Sequence, residues 1–212
     1  MFEDRKDAGQ RLGIALKAYK QSDAVVLAIP RGGVEVGFYV AEFLQLPLSV
    51  VVVRKLPFPD NPEAGFGAIA EDGSIYFVER FSRLMHSRIV KKIIEEQKQE
   101  VERRKELFRG SKPLPQLADK TALLVDDGIA MGSTTQAAVM LCRNKKAKKI
   151  VIAAPVASPS AAKELSKVAD EMVILERPAI FFAVADSYRN WYDVSDDEVM
   201  RLIQKAESLS RI

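Results

Sequence analysis

The residues best suited to chemistry lie in Leu123-Leu124-Val125-Asp126-Asp127-Gly128-Ile129-Ala130-Met131-Gly132-Ser133-Thr134-Thr135. An apolar run ends in two adjacent carboxylates, and a small glycine-containing loop then opens a helical pattern. A carboxylate only accepts hydrogen bonds, so Asp126 and Asp127 suit the vicinal hydroxyls of a sugar. The loop has the opposite preference. Its backbone N–H groups and the helix N-terminus that follows favour a phosphate. Gly132 lets the backbone approach that anion, and the hydroxyls of Ser133, Thr134 and Thr135 add donors. A sugar bracketed in this way is a ribose 5-phosphate. An ordinary Ser/Thr helix cap would account for Ser133 or Thr134 alone, but not for the paired acids or their spacing to the loop.

A second segment, Ala28-Ile29-Pro30-Arg31-Gly32-Gly33-Val34-Glu35-Val36-Gly37, also follows an apolar run. Gly32 and Gly33 expose backbone N–H groups with no side chain in the way, and Arg31 can supply charge to a diphosphate. The alternative is a plain strand-to-helix turn. Arg54 and Lys55 close another apolar run and read either as further anion partners or as exposed rim cations.

The elements that must position these residues follow from hydrophobic patterning. Ala24–Ile29, Leu48–Val53, Ala122–Val125 and Ile150–Val156 are short β-branched or aliphatic runs, as expected of parallel strands covered on both faces. Helical patterns at Arg5–Tyr19, Val34–Leu44, Thr134–Cys142 and Ser160–Val168 alternate with them. This alternation predicts an α/β fold with a doubly wound, mainly parallel sheet and ligands at the carboxyl ends of its strands. A long excursion runs from about Lys55 to Lys120. Its prolines at 57, 59 and 62 exclude a helix or a central strand there. Phe66–Val78 reads as a hairpin turning at Glu71-Asp72-Gly73-Ser74.

A long helix is predicted from Ser82 to Phe108, with Met85, Ile89, Val90, Ile93 and Ile94 at helical spacing. Its many basic residues read first as a solvated face, with Lys91–Glu95, Lys98–Glu102 and Glu100–Arg104 spaced as ion pairs. An anion-binding ridge is the other reading. The cluster Arg143–Lys149 suits a helix C-terminus. His86 reads as a surface or satisfied histidine. Near the C-terminus, Ile180–Tyr192 is a candidate hood over a base. Phe181 and Phe182 read as core within a strand-like run, and Trp191 and Tyr192 as anchors for a terminal helix from about Ser195.

The 212 residues are 48% hydrophobic, which suits one globular domain with a full core. A net charge of +3 is too mild to indicate a nucleic-acid binder. Cys142 is the sole cysteine, so neither an internal disulfide nor a cysteine metal cluster can form, and a buried structural thiol is expected. The charged N-terminus lacks the apolar core of a signal peptide, and no apolar run approaches the roughly 18 residues needed to cross a bilayer. A cytoplasmic protein is expected. A hydrolase built on Ser133 is disfavoured because no histidine accompanies that serine.

The acid-pair segment resembles the signature of the type I phosphoribosyltransferases, and the segment from Ala28 to Gly37 resembles that family's pyrophosphate loop. Phe2–Gly9 and Gly67–Gly73 resemble a bacterial and archaeal subgroup of unassigned acceptor. The resemblance implies a donor, phosphoribosyl pyrophosphate, complexed with Mg²⁺ and transferred to a nitrogenous base with release of pyrophosphate. It places the ribose 5-phosphate at Asp126–Gly128 and Ala130–Thr135, with Asp126 and Asp127 as catalytic residues touching metal only through ligand or water. It places the pyrophosphate at Arg31, Gly32, Gly33, Arg54 and Lys55, with a cis peptide at Pro30–Arg31. Hypoxanthine-type relatives carry a loop aspartate where this chain has Ala130, so no loop acid is assigned, and Glu71 and Asp72 are only weak substitutes. A homodimer is compatible with the fold. The alternative is a regulatory protein that binds phosphoribosyl pyrophosphate or a nucleotide without turnover, with the basic helix and Arg143–Lys149 as candidate RNA or DNA phosphate contacts. The expected organisation is a single domain over 1–212, with the insertion at about 55–120 and hood elements at about 176–212.

Overall fold

The structure is a computed structural model and describes residues 1–82 and 87–209. Met85 and His86, expected to pack and to lie on the surface respectively, fall outside the described residues. Five strands form a parallel sheet in the order β2-β1-β6-β7-β8: β1 (Val25–Ala28), β2 (Leu48–Val50), β6 (Thr121–Val125), β7 (Lys149–Val156) and β8 (Glu171–Glu176). The chain moves from β1 outward to β2, then returns to β6 on the other side of β1 and proceeds to β7 and β8. The switch point therefore falls between β1 and β6. Loops leaving neighbouring strands in opposite directions open a crevice there.

Side chains alternate across these strands, as the two-residue period demands. Val26, Leu123, Val125, Val151 and Ala153 pack under α1 (Arg5–Ala15) and α2 (Gly32–Leu44) on one face. Val25, Leu27, Leu124, Ile150 and Ile152 pack under α5 (Ser133–Asn144) and α6 (Pro159–Leu165) on the other. Cys142 is buried in this second layer, where loss of hydration pushes its thiol up to about 12.

Between β2 and β6 a second sheet forms from β3 (Val53–Phe58), β4 (Asn61–Ala70) and β5 (Ile75–Phe77), antiparallel throughout. The expected hairpin turn joins β4 to β5. The run from Leu48 to Val53, predicted as one strand, is divided. The chain leaves the first sheet after Val50 and enters the second at Val53. Pro57 is tolerated because β3 is an edge strand and its pairing is irregular on either side of that residue. Two helices follow, the short α3 (Glu79–Ser82) and the long α4 (Ser87–Arg109). Ile93, Val101 and Phe108 of α4 are buried against Phe66 and Ile69 of β4 and Val199 of the last helix, α7 (Asp196–Leu209).

The ion pairs on α4 differ in part from those the spacing suggested. Glu100–Arg104 forms, but Lys98 meets Glu95, and Glu102 takes Lys105. Two three-residue spacings thus replace four-residue ones, and both are close neighbours on a helix surface. Glu71 and Asp72 are structural. Arg109 grips Glu71 in a buried pair, Val52 N–H donates to the same carboxylate at 2.9 Å, and Asp72 accepts from Asn144 at 3.0 Å. The strand-like stretch around Phe181–Phe182 is irregular, and Phe182 is 86% exposed. Residues 177–183 belong to no strand, although β8 is the edge of the sheet. No described helix is long and apolar enough to cross a membrane.

Candidate functional site

The two candidate loops leave β1 and β6 side by side at the switch point, tied by Ile29 N–H donating to Val125 O at 2.9 Å. Their contact is close. A Cβ on Gly32 would lie 1.8 Å from Asp127 Oδ2, and one on Gly33 2.9 Å from Asp126 Cα. Only glycine can occupy position 32 while Asp127 keeps its place. The Pro30–Arg31 peptide is cis.

Asp126 and Asp127 stand at the carboxyl end of β6, both partly buried. Asp126 Oδ1 accepts from Asp127 N–H at 2.9 Å. Burial, and then the like charge on Asp127, push the Asp126 carboxyl well above the usual carboxylate range. Beyond them the loop is fastened to the end of β7. Ile129 N–H donates to Val156 O at 2.9 Å and Ser158 Oγ donates to Ala130 O at 2.6 Å. The loop finishes at Gly132, whose φ of 78° is left-handed and would strain any other residue.

The helices after these loops differ from others in the chain. Asp4 caps α1 and Ser158 caps α6 through side-chain oxygens. The N-cap positions of α2 and α5 are Arg31 and Gly132, and neither gives a side-chain cap. Two sets of first-turn N–H groups, which ordinarily require an acceptor, thus flank the acid pair. Ala130 and Met131 are exposed on the loop between them, and Thr134 is partly exposed. Thr135 differs from the expectation. Its hydroxyl is enclosed and has no hydrogen-bond partner, because one residue further along the first turn faces the protein interior.

This arrangement is matched by a family model. Residues 8–189 fit the phosphoribosyl transferase domain. The chain belongs to the phosphoribosyl transferase domain family. A Mycobacterium tuberculosis (strain H37Rv) protein, provisionally named a phosphoribosyl transferase, is 43% identical over 208 residues, covering 97% of this chain and 47% of its own length. The chain thus spans about half the length of the curated relatives it matches. The crystal structure of TT1426 from Thermus thermophilus superposes with a TM-score of 0.81 at 34% identity, covering 96% of this chain and 98% of that one. A structure of the Aquifex aeolicus protein AQ2163 shares the fold at a TM-score of 0.51 and 13% identity, covering 81% of this chain and 73% of that one.

Outside the span of the family model lies a residue that the motifs did not reveal. Arg5, at the start of α1, is almost fully buried and donates through Nε to Asp127 Oδ2 at 2.8 Å and through Nη1 to Tyr192 O at 2.8 Å. Trp191 covers its guanidinium at 3.9 Å, with the rings of Tyr192 and Tyr188 at 5.2 and 6.0 Å. Tyr188 OH donates to Asp127 O, and Tyr192 OH donates to Glu35 Oε2 at 2.7 Å. Trp191 and Tyr192 therefore cage an arginine rather than simply anchor the last helix. A buried guanidinium needs such a planar carboxylate partner and benefits from aromatic faces. The available signal was the resemblance of Phe2–Gly9 to a subgroup, since nothing local in the sequence marks Arg5.

The structure separates the two basic residues of β3. Neighbours in a strand face opposite ways. Arg54 turns to α4 and donates to Gln97 Oε1 at 3.2 Å, whereas the stem of Lys55 lies against Gly65.

Proposed function

We propose that this phosphoribosyl transferase family member binds Mg²⁺-complexed phosphoribosyl pyrophosphate and transfers its phosphoribosyl group to a nitrogenous base, releasing pyrophosphate. The observation that carries this reading is the pair of uncapped helix N-termini, α2 and α5, on either side of Asp126–Asp127. One phosphate-accepting terminus suits the 5-phosphate, the other the diphosphate, and the carboxylates between them suit the ribose hydroxyls.

Among the described residues no group of three or more His, Cys, Asp and Glu side chains is arranged to hold a metal. The two adjacent carboxylates supply the hard oxygens that Mg²⁺ accepts when it arrives on substrate phosphates with most of its waters. When bound, the ion neutralises charge building on the leaving diphosphate. The chain's own part is positional. Arg5 fixes the Asp127 carboxylate, the glycines let the diphosphate approach backbone N–H groups, and Arg31 adds charge at the departing end. The bond from the anomeric carbon to the diphosphate oxygen breaks as the base nitrogen bonds to that carbon. Ala130 cannot accept a proton, so the proton lost by the attacking nitrogen passes to the departing diphosphate or to solvent. Phe182 is exposed two residues before Val184, which sits over Gly128, and offers an apolar face to a base.

The test incubates the protein with Mg²⁺ and phosphoribosyl pyrophosphate against purines, pyrimidines and small amines, reading pyrophosphate release. Calorimetry on the Asp126→Asn/Asp127→Asn variant should show loss of donor binding with the fold retained, the melting temperature falling because Arg5 loses its charged partner. Unchanged affinity there rules out the ribose assignment. Binding by the native protein with no turnover on any acceptor favours the regulatory role instead.

Donor affinity should also depend on pH. The raised Asp126 pKa means that its carboxyl keeps a proton to a higher pH than an ordinary carboxylate, and binding of the diol or metal-bound water favours the ionised form. Affinity should therefore strengthen as pH rises through that pKa, by up to about tenfold per unit for one displaced proton, and then level off. Calorimetry between pH 5 and 8, corrected for the ligand's own phosphate titration, checks this. A flat profile would contradict it.

A further inference from the structure

The basic face of α4 is only partly a solvated surface. Near its end, Arg103 and Arg104 enter a cluster with residues from two other elements. Asp196, in the first turn of α7, has Oδ1 3.7 Å from Arg31 Nη1 and Oδ2 3.5 Å from Arg103 Nη2. Glu100 accepts from Arg103 and Arg104, each through a 2.7 Å contact, and Arg104 is 11% exposed at its side chain. Arg54 completes the group. Its guanidinium pKa is depressed by burial and then by the charge of Arg104, with Arg31 and Arg103 contributing. Four guanidiniums thus share two carboxylates, which leaves positive charge in excess.

Asp196 is poorly satisfied within this cluster. Its Oδ1 is shut off from solvent yet accepts no hydrogen bond. A desolvated carboxylate oxygen in that state calls for an explanation. Its place on the first turn favours a negative charge, but that accounts for the residue type and not for the unbonded oxygen between two arginines.

The position of Arg31 links this cluster to the acid pair. Its loop passes Gly32 against Asp127, while its guanidinium reaches Asp196. Arg31 and Arg103 thus meet at one carboxylate, and the loop that carries Arg31 also carries Gly32 and Gly33. We propose that the diphosphate site extends onto α4, where Arg103 and Arg104 join Arg31 and Arg54 on the distal phosphate, and that Asp196 stands in for that phosphate until the ligand displaces it. This rests on the reading of the Arg31–Gly33 loop as a diphosphate site. Neither α4 arginine belongs to the acid-pair or glycine-loop motifs. A phosphate offers three oxygens where the carboxylate offers two, so it can accept hydrogen bonds the carboxylate leaves unmade. Competition from Asp196 also weakens the hold on released pyrophosphate.

The test is calorimetry on the full chain with Mg²⁺ and inorganic pyrophosphate, and separately with ribose 5-phosphate. Asp196→Asn should bind pyrophosphate about three- to tenfold more tightly, and Arg103→Gln about tenfold more weakly. Ribose 5-phosphate affinity should be unchanged in both. The opposite directions separate a ligand effect from damage to the fold, and melting curves on the same samples confirm folding. Equal pyrophosphate affinity in native protein and Arg103→Gln overturns the proposal, as does weaker or equal affinity in Asp196→Asn. Native protein that binds both ligands while the variants fail to diverge sinks only this extension. Native protein that binds neither ligand sinks the diphosphate reading and the extension together.

Discussion

Gly32→Ala is expected to weaken binding of the phosphoribosyl donor by on the order of 100-fold, the scale set by misplacing a positioned group by about an ångström. Gly32 does not have positive φ and begins α2, so the backbone itself would accept alanine. The space would not. The new methyl group would lie 1.8 Å from Asp127 Oδ2 and 2.8 Å from Arg5 Nε, inside the hydrogen bond that joins them. Either the loop lifts off the acid pair or Asp127 leaves Arg5. Both outcomes separate the Arg31–Gly33 loop from the Asp126–Asp127 pair. Calorimetry with Mg²⁺ and phosphoribosyl pyrophosphate measures the effect, and a Kd within threefold of the native value would refute the packing argument.

The second large effect concerns stability. Glu71 and Arg109 are 6% and 7% exposed at their side chains and bond to each other, while Arg109 also donates to Val50 O at 2.8 Å. The pair fastens the β4–β5 turn and the end of α4 to the point where the chain passes from one sheet to the other. Glu71→Ala strands a buried guanidinium, at a cost of about 3–5 kcal/mol. At roughly 2–4 °C per kcal/mol for a chain of this size, the melting temperature should fall by about 6–20 °C. The double variant Glu71→Leu/Arg109→Met should recover much of that loss, because it leaves no unpaired charge. Below the transition, donor affinity in Glu71→Ala should match the native protein. A loss of affinity with no loss of stability would return Glu71 to the reacting groups.

Much of this architecture was legible in the sequence, for reasons that differ between elements. The acid-pair loop was readable because a strand's apolar run, two acids, a glycine and a row of hydroxyls follow one another within thirteen residues. Four of the five parallel strands were visible as aliphatic runs. The fifth, β8, has Glu171 and Glu176 at its ends and only partial burial, so its weak pattern reflects an edge position. The change of sheet after Val50 was hidden in Leu48–Val53, since a continuous β-branched run suits either sheet. Phe182 looked like core because hydrophobicity alone does not report which apolar residues tertiary packing leaves exposed. Arg103 and Arg104 illustrate the general limit. Helical spacing identifies their partner Glu100, but their neighbours Arg31, Arg54 and Asp196 are set by tertiary structure.

The brace around Arg5 has a consequence for the order in which the site can form. Its two halves, Phe2–Arg5 and Ser187–Tyr192, meet through Phe2 N–H to Ser187 O, Arg189 N–H to Phe2 O and Arg5 to Tyr192 O, the last joining residues 187 positions apart. During synthesis Arg5 emerges before any strand of the sheet, while the aromatic faces that cover it emerge only after β8 is made. Until then Asp127 has no caged arginine to hold it. The central sheet can assemble while Asp127 is still unbraced, so the brace follows the sheet rather than arriving with it.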